Sequence, residues 1–176
     1  MKYCQDYPYY DLQDNFSGNF YIIKSIHELI CKDDDSGKEA YIDDDTPIFS
    51  DEWLALDLDA LERELSQKRT DKNIKNSMDM GFVVSDGNNK AFVLVEMRYN
   101  FLKFNNITRD DLNNKVYYST ICVKNTLNIK IYTKKYFLFA KNKVEQGRNR
   151  LNRMNPECSP DYETLGTRDL YELFFQ

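Results

Sequence analysis

The chain has 176 residues, a net charge of −5, 41% hydrophobic and 30% charged side chains, a balance that predicts one domain able to bury its own core without cross-links. No stretch approaches the roughly 20 apolar residues of a membrane span, and the polar start MKYCQDYPYY does not read as a signal peptide. Cys4, Cys31, Cys122 and Cys158 show no Cys-x-x-Cys spacing and His27 is the only histidine, which argues against a zinc site or a Cys–His nucleophile and for reduced thiols in a cytoplasm.

The net charge conceals an asymmetry. Residues 1–66 hold 17 acids against 5 bases, whereas residues 97–153 hold 13 bases against 3 acids. A basic half of this kind suits a polyanion such as nucleic acid. It suits equally well an internal counterweight to the acidic half.

Residues 1–18 are aromatic and polar without clear period, and are expected as an arm on the surface. Phe20–Ile30 fits two patterns. Ile22, Ile23, Ile26, Leu29 and Ile30 make a helical stripe, while a strand to Cys31 that turns at 33–37 and returns through Ala40–Ile42 fits almost as well. The acidic runs Asp33–Asp35 and Asp43–Asp45 lack the alternating ligands, central glycine and distal glutamate of a calcium loop, so they read as solvated turns. Ser50 then resembles an N-cap, and Leu54, Leu58, Leu61 and Leu65 form a narrow stripe that predicts a helix to about Gln67. Glu62 and Glu64 flank that stripe.

The basic loop KRTDKNIKNS leads into the most legible stretch, Ser77–Arg98. Two apolar runs, Met80–Val84 and Ala91–Val95, flank Asp86-Gly87-Asn88-Asn89, the signal of a β-hairpin. A Gly87-Asn88 loop pairs Val84 with Ala91 and Asp79 with Glu96; an Asp86-Gly87 loop moves Asp79 one diagonal step away. Either way, period-two alternation puts Asp79, Leu94, Glu96 and Arg98 on one face. Two carboxylates that close repel unless a cation separates them. A divalent metal or the Arg98 guanidinium would serve.

Ala91–Val95 is apolar on both faces, as an interior strand should be. Thr108-x-x-Asp111 has capping-box spacing and predicts a helix from Arg109 to about Asn125, with Leu112, Val116, Ser119 and Val123 inward and Lys115 beside them. Ile129–Ala140 reads as one bent strand or two. A basic stretch, Lys141–Arg153, follows, and the tail closes on LYELFF, whose aromatics are expected to dock on the body.

Helix, hairpin, helix and strand, with Asp79 on one hairpin strand and Glu96-Met97-Arg98 at the end of the next, resemble the core of the PD-(D/E)xK nuclease superfamily, over about residues 50–141. The resemblance implies an α/β, restriction-endonuclease-like fold around a mixed central sheet. On this reading 1–176 is a single domain, with an acidic N-terminal elaboration over 1–49 and a C-terminal extension over 142–176. It also implies Mg²⁺ or Mn²⁺ held by Asp79 and Glu96, an auxiliary helix acid at Glu62 or Glu64, and phosphodiester hydrolysis on nucleic acid held by the basic region 97–153. The motif lysine is here Arg98, which cannot act as a base but can stabilise an anion. Lys115 on the following helix is the candidate to supply the missing amine. That departure keeps a second expectation open: a catalytically inactive member of the fold that binds or inhibits a protein partner, or serves as an immunity-type protein.

Overall fold

In a computed structural model, residues 1–16, 21–32, 48–99 and 103–176 are described. The fold is α/β, built on a mixed seven-stranded open sheet of order β2-β3-β4-β5-β6-β7, with β1 added beside β4. The strands are β1 (Lys2–Tyr3), β2 (Ile23–Ser25), β3 (Leu54–Asp57), β4 (Met80–Ser85), β5 (Lys90–Met97), β6 (Lys130–Leu138) and β7 (Tyr162–Leu165). The helices are α1 (Tyr9–Gln13), α2 (Ile26–Lys32), α3 (Leu58–Lys68), α4 (Arg109–Leu127), α5 (Val144–Asn152) and α6 (Thr167–Phe174).

The hairpin is the centre of the sheet. Met80 pairs with Val95 and Ser85 with Lys90, the register of the Gly87-Asn88 loop. Gly87 has φ +93°, a left-handed conformation that costs glycine little. The Asp86 carboxylate accepts from the Asn88 and Asn89 amides at 3.1 and 2.8 Å, which stiffens the turn. A side chain at Gly81 would meet the Phe92 ring at 2.1 Å and the Val93 carbonyl at 2.6 Å, so the two strands approach this closely only through glycine.

Alternation along the hairpin divides the core. Val83, Phe92 and Leu94 face α3 and α4, with Leu58, Leu61, Leu112 and Val123. Met80, Phe82, Val93 and Val95 face α2 and α6, with Ile26, Leu29, Leu170 and Phe174. β5 is interior, antiparallel to β4 and parallel to β6. β6 is one strand, irregular where its pairing shifts between Phe92 and Leu94, and the closing aromatics do dock: Phe174 is buried. Among the described residues no helix is long and apolar enough to cross a membrane.

Three expectations are corrected. The helix expected from Ser50 starts only at Leu58, because Leu54–Asp57 pairs with β2 and β4 as β3. Asp57 is the real cap, accepting from the Ala60 amide at 3.0 Å while Lys24 neutralises it at 3.2 Å. Leu54 shares the helical spacing of Leu58, Leu61 and Leu65 without sharing the helix. Residues 21–30 are neither wholly strand nor wholly helix, since β2 hands over to α2 at Ile26; Phe20, the return through Ala40–Ile42 and both acidic runs lie outside the described residues.

The third correction concerns the N-terminal arm, which is built into the body. Lys2 and Tyr3 pair with Ser85 and Val84. Tyr9 is 1% exposed, and its hydroxyl accepts from the Val83 amide at 2.7 Å. Tyr9→Phe is expected to cost about 1–3 kcal/mol, because it strands a buried amide in mid-strand. Urea denaturation checks this, and a loss below a few tenths of a kcal/mol would mean that the amide has found another acceptor.

Candidate functional site

Three elements fix Asp79. The Ser119 hydroxyl on α4 accepts from the Met78 amide at 2.8 Å, the Leu58 amide at the start of α3 donates to the Asp79 carbonyl at 3.1 Å, and the Met97 amide on β5 donates to Asp79 Oδ2 at 2.5 Å. Its carboxylate therefore hangs over the end of the hairpin on the α3–α4 face. Glu96 arrives on the same face from β5, with no exposure at all. The sequence-predicted pair is brought together.

Two cations meet Glu96. Lys115 Nζ donates to Oε1 at 2.6 Å and stands 4.0 Å from Asp79 Oδ1. Arg98 Nη2 lies 2.5 Å from the same Oε1. Lys115 reaches the site because α4, capped by Thr108 through a 3.2 Å bond from the Asp111 amide, runs back across this face and turns Lys115 toward the hairpin one turn before Ser119. One rigid helix thus sets the amine and tethers the residue before Asp79. Asp79, Arg98 and Lys115 side chains keep 20%, 20% and 17% exposure, whereas Glu96 beneath them is fully buried.

Burial, then the Glu96 charge, pushes the Asp79 carboxyl well above its ordinary range, against the pull of Lys115. Burial also raises Glu96, outweighing Arg98 and Lys115. For Lys115, burial works to lower the value, but Glu96 and Asp79 together raise it, so the amine is an ammonium at neutral pH. Glu96 Oε2 is buried and makes no hydrogen bond among the described residues; a buried carboxylate oxygen left so is costly.

Sequence reasoning missed a third acid. Asp59, in the first turn of α3, accepts from the Ser77 hydroxyl at 2.6 Å and adds to the charge that raises both Asp79 and Glu96. The signal was available: a helix that starts after Asp57 places Asp59, not Glu62, at the end nearest Asp79. Glu62 is seated elsewhere. Its oxygens take the Arg69 guanidinium at 2.5 and 3.2 Å, the Lys75 amide at 2.6 Å and the Cys122 thiol at 3.2 Å. Burial alone would raise the Glu62 carboxyl, yet these donors hold it below its usual range. Glu62 pins the loop after α3.

For a magnesium ion the donors on offer are Asp79 Oδ1 and Glu96 Oε2. Among the described residues no cluster of three or more His, Cys, Asp or Glu is arranged to hold a metal. Magnesium is commonly held through only one or two carboxylates plus substrate phosphates and water, so two carboxylate oxygens, one buried without a partner, fit that minimum. Part of the basic half is spent internally: Lys134 and Lys135 face Glu163 and Asp161, each at 3.8 Å. No family model, curated protein or solved structure matches this chain.

Proposed function

We propose that this chain is a divergent relative of the PD-(D/E)xK nucleases and hydrolyses phosphodiesters in nucleic acid with Mg²⁺ or Mn²⁺. One observation carries the reading: the Lys115 ammonium lies 2.6 Å from Glu96 and 4.0 Å from Asp79, supplying from α4 the lysine that Arg98 replaces. Asp79 Oδ1 and Glu96 Oε2 would hold the metal, which when bound activates water and offsets charge on the phosphoryl group. Arg98, protonated at every relevant pH, keeps a fifth of its side chain exposed and stabilises an anionic transition state. Lys115 does the same and also donates a proton to a hydrogen bond. As an ammonium it orients rather than deprotonates water. Asp59 holds Ser77 and adds negative potential that favours a divalent cation.

A second reading is favoured by the same bonds. Lys115 and Arg98 already pair Glu96 twice without a metal. This suits an inactive member of the fold that binds nucleic acid or a protein partner. Incubating the purified chain with single- and double-stranded DNA and RNA in Mg²⁺ or Mn²⁺ separates the two. Cleavage abolished by EDTA, and absent from an equally pure Asp79→Asn preparation, is the expected result. Intact substrates under every condition would leave the binding reading.

A further inference from the structure

The acid pair already carries protein cations where a metal would have to enter. Lys115 Nζ stands 2.6 Å from Glu96 Oε1 and 4.0 Å from Asp79 Oδ1, so one ammonium serves both carboxylates. Arg98 Nη2 lies 2.5 Å from the same Glu96 oxygen. Asp79 Oδ1 is also one of the two oxygens on offer to magnesium. That ion binds oxygen at about 2 Å, so on Oδ1 it would lie no more than about 6 Å from the ammonium. There a single and a double positive charge repel strongly, even at the effective dielectric of about 20 that suits protein sites.

No third carboxylate joins the pair. Asp59 accepts from the Ser77 hydroxyl, Glu62 is held by Arg69, the Lys75 amide and the Cys122 thiol, and among the described residues no cluster of three or more His, Cys, Asp or Glu could hold a metal. The two cations differ in their freedom to yield. Arg98 follows directly on β5, where its amide donates to the Leu138 carbonyl at 2.8 Å, and its guanidinium is planar and weakly hydrated. Lys115 carries a compact, strongly hydrated charge on a flexible four-carbon stem, with 17% of the side chain exposed. Lys115 is therefore the cation that can leave for water, and the one a metal must displace.

We propose that the Lys115 ammonium is a resident competitor for the divalent ion, and that it holds the affinity of the Asp79–Glu96 pair for metal low. The inference rests on the hydrolytic reading for the place of the metal, but it concerns binding and needs no turnover. It gives Lys115 two opposed effects: the charge that stabilises an anionic transition state also keeps metal out of the resting site.

The test is Mn²⁺ binding to the full chain, followed by electron paramagnetic resonance of the free ion, without nucleic acid. Glu96→Gln, made on every background, marks ions held elsewhere, and only the Glu96-dependent part counts. Lys115→Gln keeps a donor for Glu96 Oε1 but no charge, and is expected to bind Mn²⁺ at least about tenfold more tightly than the wild type. Lys115→Arg keeps the charge and should bind as the wild type does. Circular dichroism establishes that each variant is folded. Should Lys115→Gln not fold, Arg98→Gln removes the other cation from the same oxygen and is expected to tighten binding at least about threefold. A folded variant, neutral at either position, that binds no more tightly than the wild type would overturn the proposal, as would an equal gain in Lys115→Arg. Tighter binding in Lys115→Gln, with no cleavage of any nucleic acid by the wild type, would leave it standing and remove the hydrolytic reading. Cleavage by the wild type with unchanged affinity in Lys115→Gln would do the reverse.

Discussion

Lys115→Met is expected to destabilise the protein by about 3 kcal/mol, near the lower end of what breaking a buried ion pair costs. Glu96 has no exposure, and its Oε2 already makes no hydrogen bond. Removing the ammonium leaves a buried carboxylate with Arg98 as its remaining cation. Urea unfolding measures the loss, and a second substitution apportions it: Glu96→Gln placed on Lys115→Met is expected to recover much of the stability, a coupling of about 1–3 kcal/mol. A loss under about 0.5 kcal/mol would mean that water already solvates the pair, as at exposed ion pairs. On the hydrolytic reading, cleavage should fall by at least about a hundredfold in Lys115→Met, the scale of losing one oriented charge from a transition state. It should stay low at temperatures where circular dichroism shows Lys115→Met fully folded, which separates a chemical role of the amine from its structural one.

Asp79→Asn is expected to move stability and activity in opposite directions. Burial and Glu96 raise the Asp79 carboxyl, so the folded chain holds this proton more tightly than the unfolded chain does. The stability contributed by that proton is fully present below the ordinary carboxylate range, near pH 4, and is lost as pH rises through the folded value. Asparagine keeps an oxygen for the Met97 amide but carries no charge. The metal-free variant should therefore match the wild type in acid and exceed it increasingly toward neutrality, by about 1–2 kcal/mol. Thermal melts in EDTA across this range give the sign directly. A variant less stable than the wild type at pH 7 would show that Lys115, 4.0 Å away, keeps Asp79 ionised after all. On the hydrolytic reading, metal-dependent cleavage should disappear, since one of the two carboxylates on offer is gone.

The hairpin was legible because two local signals agree. Alternation set the faces, and the run Asp86–Asn89 limited the register to two choices, of which Gly87-Asn88 is the one adopted. α4 was legible from Thr108, a cap that needs only its own neighbours. Lys115 came to attention through the family resemblance, and its meeting with Glu96 depends on the angle at which α4 crosses the sheet, which no local pattern encodes. β1 and β3 were hidden for a related reason. They have two and four residues, too few for a period to show, and they are strands because β4, and for β3 also β2, offers them hydrogen bonds. Reading Asp57 as mid-helix then drew attention to Glu62 rather than to Asp59 beside Ser77, since moving a helix start by several residues changes which side chain stands at its near end.

The place of β1 has a consequence for assembly. β4 and β5 close across a short turn, but Tyr3 must find Val84 from the far side of the intervening chain, and its hydroxyl then bridges both main-chain groups of Leu54 at 2.8 and 2.9 Å. Contacts of such long sequence separation bear the full entropy of loop closure before they gain anything in return. Lys2 and Tyr3 are thus among the last residues to settle, and they act as a clasp drawn shut over strands that have already found one another.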